Sequence, residues 1–79
     1  MPSDDIFPLS KAVVGQQVRL VRIKGGRRLN HRLVEMGLTP GVRIRVLQNS
    51  GGPLLLAVSD SRIALGWGMA NRVEVAFED

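Results

Sequence analysis

Turn-forming residues interrupt this sequence about every 8–12 residues, and this spacing restricts the fold more than any other feature. The breaks are rich in glycine and proline and fall at Gly15, Gly25-Gly26, Gly37, Pro40-Gly41, Gly51-Gly52-Pro53, Asp60-Ser61 and Gly66. Short elements at this spacing are typical of a small all-β sandwich or barrel. With 79 residues, the chain has room for one domain around one small core.

Alternation of apolar and polar residues between these breaks predicts strands. Residues 42–46 are the clearest case, because valine and isoleucine alternate there with Arg43 and Arg45. Within residues 18–24 the apolar side chains change from one strand face to the other, since Val18 and Leu20 share one face and Val21 and Ile23 share the other. A β-bulge near Leu20 would bring both pairs to the same face. Phe77 continues the alternation of the last strand and is expected in the core. The predicted strands are residues 18–24, 42–46, 54–58, 62–65 and 73–77, with a tight turn at Asp60-Ser61.

Residues 27–36 have a different period and predict an α-helix. Leu29, Leu33 and Met36 recur at helical spacing and form one apolar stripe. Gly37 follows as a left-handed C-terminal cap. The prediction is a mainly β fold of about five strands with this helix inserted after the first long strand. Residues 1–8 are expected to form a loosely held tail before a single domain at residues 9–79.

Positive charge is concentrated in the middle of the chain. The formal net charge is +4, and four of the seven acidic residues stand near the ends, at Asp4, Asp5, Glu78 and Asp79. A basic surface suits an acidic partner, phosphates or an anionic membrane face, although it also serves solubility alone. Arg27, Arg28 and Arg32 crowd the start of the predicted helix, where cations oppose the helix dipole. These three arginines are therefore candidates for binding a partner.

Trp67 stands between two glycines in residues 66–71, a segment predicted to form a 3₁₀ turn. Tryptophan is usually largely buried, which would make it a lid over one end of a barrel. An exposed tryptophan would instead anchor a protein partner. Both interpretations stay open, and the second makes Trp67 and its neighbour Met69 candidate partner-binding residues.

The sequence gives little support for a catalytic function or for a metal-binding site. The chain has one histidine, no cysteine and no tyrosine, and its interior acids fall on different predicted elements. His31 and Glu35 share one helix face and would supply two metal ligands, which is fewer than a zinc site requires. We therefore expect no catalytic residues, no metal site and no cofactor.

Nucleic-acid binding is the alternative that the charge allows. Small basic barrels bind nucleic acid, and the electrostatic part of such binding needs only cations. Single-strand binding also needs aromatic residues that stack on bases. Phe7, Trp67 and Phe77 are the aromatic residues of this chain, which are too few for a stacking platform. The alternative therefore rests on charge alone.

Residues 32–44, which read RLVEMGLTPGVRI, resemble the signature of the FeoA family. Leu9-Ser10, Gly25-Gly26 and Gly52-Pro53 fall in register with the same pattern, so the resemblance covers about residues 9–77. It implies an SH3-like β-barrel with a helical insertion and no enzymatic activity. Residues 66–71 depart from it, because members of the family often carry a charged, helix-forming stretch there.

The resemblance also implies a function and a partner. It implies an accessory protein of bacterial ferrous iron uptake, located in the cytoplasm, that binds the cytosolic part of FeoB, the membrane transporter with a GTPase domain. We expect no direct membrane insertion, since the longest apolar run is residues 54–58 and a span needs roughly 20 residues. The oligomeric state, and the choice between assisting assembly and regulating GTP hydrolysis, stay open.

Overall fold

Six antiparallel strands form one sheet with the spatial order β1-β6-β2-β3-β4-β5 in this computed structural model, which describes residues 5–78. The strands are β1 Phe7–Pro8, β2 Gln17–Ile23, β3 Arg43–Gln48, β4 Leu54–Val58, β5 Ser61–Leu65 and β6 Val73–Phe77. Helix α1 (Arg27–Glu35) joins β2 to β3, α2 (Trp67–Ala70) joins β5 to β6, and a 3₁₀ turn (Leu9–Lys11) follows β1. No helix in the described part of the chain is long and apolar enough to cross a bilayer.

The core lies on the inner face of the sheet, because each strand directs every second side chain there. β4 alternates buried and half-buried residues along its whole length. In the first half of β3, exposed Arg43 and Arg45 alternate with buried Ile44 and Val46. Helix α1 adds the fully buried Leu33. The fully buried strand residues with large side chains are Val18, Leu20, Ile44, Val46, Leu54, Leu56, Leu65, Val73 and Val75.

A β-bulge divides β2 at the point where the apolar residues of the sequence change from one strand face to the other. Leu20 pairs with Val75, but the next pair along the ladder joins Arg22 to Glu74, so Val21 is the extra residue on β2. This confirms the predicted bulge near Leu20. As a result, the two halves of β2 both direct apolar side chains to the same core.

Helix α1 ends in a Schellman motif, which fixes how the chain returns to the sheet. Gly37 has φ +94°, and its N–H donates to the Val34 carbonyl at 2.9 Å. The Leu38 N–H donates to the Leu33 carbonyl, also at 2.9 Å. These two bonds satisfy carbonyls that the helix end leaves free, and Leu38 is fully buried beside the core. The predicted left-handed cap is confirmed.

The structure differs from the sequence-based prediction at two places, the N-terminal tail and the turn between β4 and β5. Phe7 and Pro8, which fall within the predicted tail, pair with Val75 and Glu74 as β1; residues 1–4 of that tail lie outside the described residues. The β4–β5 hairpin turns one residue earlier than predicted, since its closing pair is Val58 with Ser61. Neither difference alters the mainly β fold.

Two further expectations, for Phe77 and for residues 66–71, were wrong. Phe77 is 41% exposed because it lies at the end of β6, where its ring packs against Phe7 with the ring centroids 5.0 Å apart. The segment predicted as a 3₁₀ turn is one turn of α-helix. The Ala70 N–H donates to the Gly66 carbonyl, and this four-residue span defines α rather than 3₁₀ geometry.

Replacing Gly37 with alanine should lower the free energy of unfolding by about 1–2 kcal/mol, because a side chain at positive φ is strained. Apart from Gly37 and its two chain neighbours, no described residue has an atom within 4 Å of the added Cβ, so the loss would come from the backbone alone. Urea unfolding measures it. Gly68→Ala is the matched control, since Gly68 lies in α2 with equal space and an ordinary φ. An equal loss in both variants would contradict this account.

Candidate protein-interaction site

Both helices lie at the same end of the sheet. β2 ends at Ile23, which pairs with Val73, the first residue of β6. The Lys24 N–H then donates to the Arg72 carbonyl at 2.7 Å. The chain therefore enters α1 beside the place where it leaves α2. The two segments that the sequence singles out separately, around residues 27–32 and 67–69, are brought toward one end of the molecule.

The entry to α1 is held by one asparagine. The Asn30 side-chain amide donates to the Gly25 carbonyl at 3.1 Å and to the Gly26 carbonyl at 3.0 Å. A Cβ on Gly25 would lie 2.5 Å from Cδ2 of Leu29, so the glycine lets Leu29 lie directly against the turn. The first turn of α1 has no acidic residue. Cations crowd this helix start with no acidic side chain there to offset the helix dipole.

Arg28, Leu29 and Arg32 line an open cleft of about 250 Å³. Arg28 and Arg32 are four residues apart and therefore project from one side of the helix. Arg27 precedes Arg28 by one residue, which rotates it by about 100° onto another side. The structure thus separates the three predicted arginines into a pair at the cleft and one outside it. Leu29, which the sequence assigns only to the core stripe, supplies the apolar floor.

Ion pairs engage two bases of β2, one of β3 and the lysine that follows β2, and they leave the arginines of α1 unpaired among residues 5–78. The carboxylates and their partners are Glu74 with Arg22 at 2.6 Å and Lys24 at 3.8 Å, and Glu78 with Arg43 at 3.1 Å and Arg19 at 3.5 Å. Arg27, Arg28 and Arg32 have no carboxylate within 4.0 Å among residues 5–78. The cleft therefore combines two unneutralised guanidinium groups with an apolar floor.

His31 and Glu35 form the expected pair on α1. The His31 Nδ1 lies 3.9 Å from a Glu35 carboxylate oxygen, and both side chains are about 70% exposed. No group of three or more potential metal-ligating residues exists in the described part of the chain. The pair is thus a solvated contact on the helix surface.

Trp67 and Met69 have different environments on α2. Trp67 is 46% exposed, whereas Met69 packs against the core. The helix is held by the buried Ala70 and by a hydrogen bond of 2.9 Å from the Ser10 hydroxyl to the Asn71 side-chain oxygen. Trp67 is therefore neither a closed lid nor a freely projecting side chain, because about half of it rests on the protein.

Aromatic residues do not form a row on this surface. Phe7 and Phe77 contact each other, with ring centroids 5.0 Å apart, so each ring shields one side of the other. Trp67 is the remaining aromatic residue of the chain. A base-stacking platform would need several exposed rings along one groove.

Comparison with known proteins agrees with the fold and identifies the family. A family model described as the FeoA domain matches residues 7–76. A Methanocaldococcus jannaschii protein described as a candidate Fe(2+) transport protein A is 34% identical over 70 residues, which cover 89% of this chain and 85% of that protein. The chain is thus an SH3-like β-barrel domain with an inserted helix. It belongs to the FeoA family of ferrous iron transport accessory proteins.

Two solved structures support the assignment. A crystal structure of an iron uptake regulatory protein (FeoA) is 42% identical, with a TM-score of 0.85, covering 90% of this chain and 96% of that one. The FeoA of Stenotrophomonas maltophilia, solved with zinc and described as a procaryotic SH3 domain protein, is 27% identical. Its TM-score is 0.77, covering 87% of this chain and 88% of that one. The FeoA family resemblance of residues 32–44 is thus confirmed, because the chain is a member of that family.

Replacing Trp67 with alanine should lower the free energy of unfolding by about 1–2 kcal/mol, because only about half of the side chain is buried. Leu33→Ala, at a fully buried position of α1, should cost about 2–5 kcal/mol. Urea unfolding of both variants measures the difference. A loss from Trp67→Ala as large as that from Leu33→Ala would show that the tryptophan serves mainly as a lid.

Proposed function

We propose that this chain acts in the cytoplasm by binding the cytosolic part of FeoB, the membrane ferrous iron transporter with a GTPase domain. It acts through contact rather than through catalysis. The proposed partner-binding residues are Arg27, Arg28, Arg32, Trp67 and Met69. Membership of a ferrous iron transport family supports the choice of partner.

The observation that carries this proposal is the cleft on α1. Arg28 and Arg32 flank Leu29 and form no ion pair with any residue in the described part of the chain. An acidic surface on the transporter would supply carboxylates to both guanidinium groups, and an apolar side chain from it would contact Leu29. Such complementarity favours fast association and excludes partners of the wrong charge.

The half-exposed Trp67 supports a second contact at the same end of the sheet. Tryptophan is one of the residue types that most often contribute a large share of the binding energy once a partner covers them. Met69 lies in the same turn of α2 and packs against the core cluster. In this arrangement Trp67 contacts the partner, and Met69, which is only half-buried, adds its exposed part to the same contact.

An NMR titration tests the proposal directly. The isotope-labelled chain is titrated with the transporter's cytosolic part, with GTP, with GDP and without nucleotide. We expect amide shifts to cluster on residues 27–36 and 66–70. Shifts absent in every nucleotide state would overturn the proposal. Salt-sensitive binding to unrelated oligonucleotides would then favour the nucleic-acid alternative, whose electrostatic term weakens steeply with salt.

Charge reversal of the cleft should weaken this binding and preserve the fold. The double variant Arg28→Glu/Arg32→Glu is expected to bind the transporter's cytosolic part roughly tenfold or more weakly, because two attractive contacts become repulsive. Calorimetric titration gives the dissociation constant, and the amide spectrum checks the fold.

The control for overall charge is Lys11→Glu/Arg45→Glu. Lys11 and Arg45 are exposed and form no ion pair within residues 5–78, and this variant has the same net charge as the cleft variant. It should keep most of the affinity. Equal weakening in the two variants would mean that net charge, rather than the cleft, governs binding.

A further inference from the structure

We propose that the free edge of β5 accepts an extended acidic segment of a protein partner as an additional strand. This surface is separate from the cleft on α1, so the inference goes beyond the proposed function. It does not depend on which protein supplies the segment. The relevant chemistry is an unpaired backbone edge beside arginine side chains that lack acidic partners.

β5 pairs on one side only. All five of its residues pair with β4, from Ser61 with Val58 to Leu65 with Leu54, and β5 is the last strand in the sheet order. Because the pair at the turn is Val58 with Ser61, the alternation of the ladder directs the N–H and C=O groups of Arg62 and Ala64 away from β4. No hydrogen bond to these groups occurs within residues 5–78.

Of the features that commonly prevent pairing with another chain, this edge has one, the charged side chain of Arg62, which disfavours a basic partner strand and suits an acidic one. Proteins also protect their edge strands with proline, with bulges or with very short length. The opposite edge, β1, is two residues long and contains Pro8. β5 is longer, contains no proline or glycine and keeps a regular register with β4. Arg62 and Ala64 are both exposed, so the edge is open to solvent.

Charge indicates what would bind there. One cross-strand row on the outer face of the sheet contains Gln17, Arg45, Ala57 and Arg62. Arg45 donates to the Gln17 side-chain oxygen at 2.9 Å. Neither arginine has a carboxylate within 4.0 Å in the described part of the chain, and Asp60 in the adjacent turn is no exception. An added strand would continue this row and place its side chain next to Arg62.

An acidic residue at that position would complete the row. Neighbouring side chains across an antiparallel pair have Cβ atoms about 4.5–5.5 Å apart, which suits an ion pair with Arg62. A second copy of this chain would bring the same positive charge, since the formal net charge is +4. Its own β5 would supply an arginine and no carboxylate. Charge complementarity thus favours an acidic segment from another protein.

The probe is the peptide acetyl-Thr-Val-Glu-Val-Thr-Val-Glu-Val-Thr-amide, which alternates apolar and polar residues as a half-buried strand does. Hydrogen exchange of the backbone amides is followed with and without it. We expect exchange at Arg62 and Ala64 to slow about tenfold or more at saturation, because these amides gain acceptors. The matched peptide with lysine in place of both glutamates should bind more weakly. Equal binding of the two peptides would overturn the proposal.

Two variants of the protein test the contacts separately. Ala64→Pro removes one outward N–H and leaves the ladder to β4 intact. It should abolish the protection of the remaining Arg62 amide by the peptide, whereas Ala64→Val, which keeps the N–H, should retain that protection. Arg62→Glu keeps the backbone edge and should weaken binding of the acidic peptide about fivefold while strengthening binding of the lysine peptide. Undiminished binding by Ala64→Pro, or unchanged selectivity in Arg62→Glu, would exclude the β5 edge.

Salt and protein concentration separate the acidic segment from a second copy. Binding of the acidic peptide should weaken between about 0.05 and about 0.5 M sodium chloride, because exposed ion pairs are screened. Pairing between two positively charged copies should strengthen over the same range. Protection of the Arg62 and Ala64 amides that rises with protein concentration in the absence of peptide would identify a second copy as the occupant and overturn the proposal.

Discussion

The bulge in β2 determines how the rest of this domain is arranged. The extra residue, Val21, lets β2 direct Leu20 to the core and then pair Ile23 with Val73 at the far end of β6. The backbone hydrogen bond from Lys24 to Arg72 follows directly from that register. The start of α1 and the end of α2 therefore lie beside each other. Without the bulge, the register beyond Leu20 would shift by one residue and move its side chains to the opposite face.

The position of two carboxylates determines which surfaces remain positive. Glu74 and Glu78 lie on or just after β6, the strand beside β2, and they pair with bases of β2 and β3 and with Lys24. Helix α1 and strand β5 lie beyond this region, and neither Arg28 nor Arg62 has a carboxylate within 4.0 Å among residues 5–78. The net charge of +4 is therefore distributed unevenly. An exposed ion pair contributes little to stability, so this arrangement affects recognition more than folding.

Local patterns account for most of the fold, and tertiary contacts account for the rest. Alternation predicts the strands and the bulge, while apolar spacing with Gly37 predicts α1 and its end. Strand β1 has no local signal, because two residues cannot show a period and Phe7 pairs only through its contact with β6. The proximity of α1 to α2 depends on pairing between β2 and β6, which are distant in sequence. The grouping of Arg28 with Arg32 follows from helical spacing, whereas the exposure of Trp67 requires the packed structure.

At three surfaces the sequence has residues that do not favour the stability of the fold. Helix α1 begins with two arginines, which the helix dipole disfavours, and it relies on the buried Leu33 for its attachment. The turn of α2 exposes nearly half of a tryptophan between two glycines. Strand β5 leaves a regular edge without proline or a bulge. Local choices that oppose stability are expected where a surface serves binding. A small barrel can act through such surfaces, because its core fixes their positions while leaving them open.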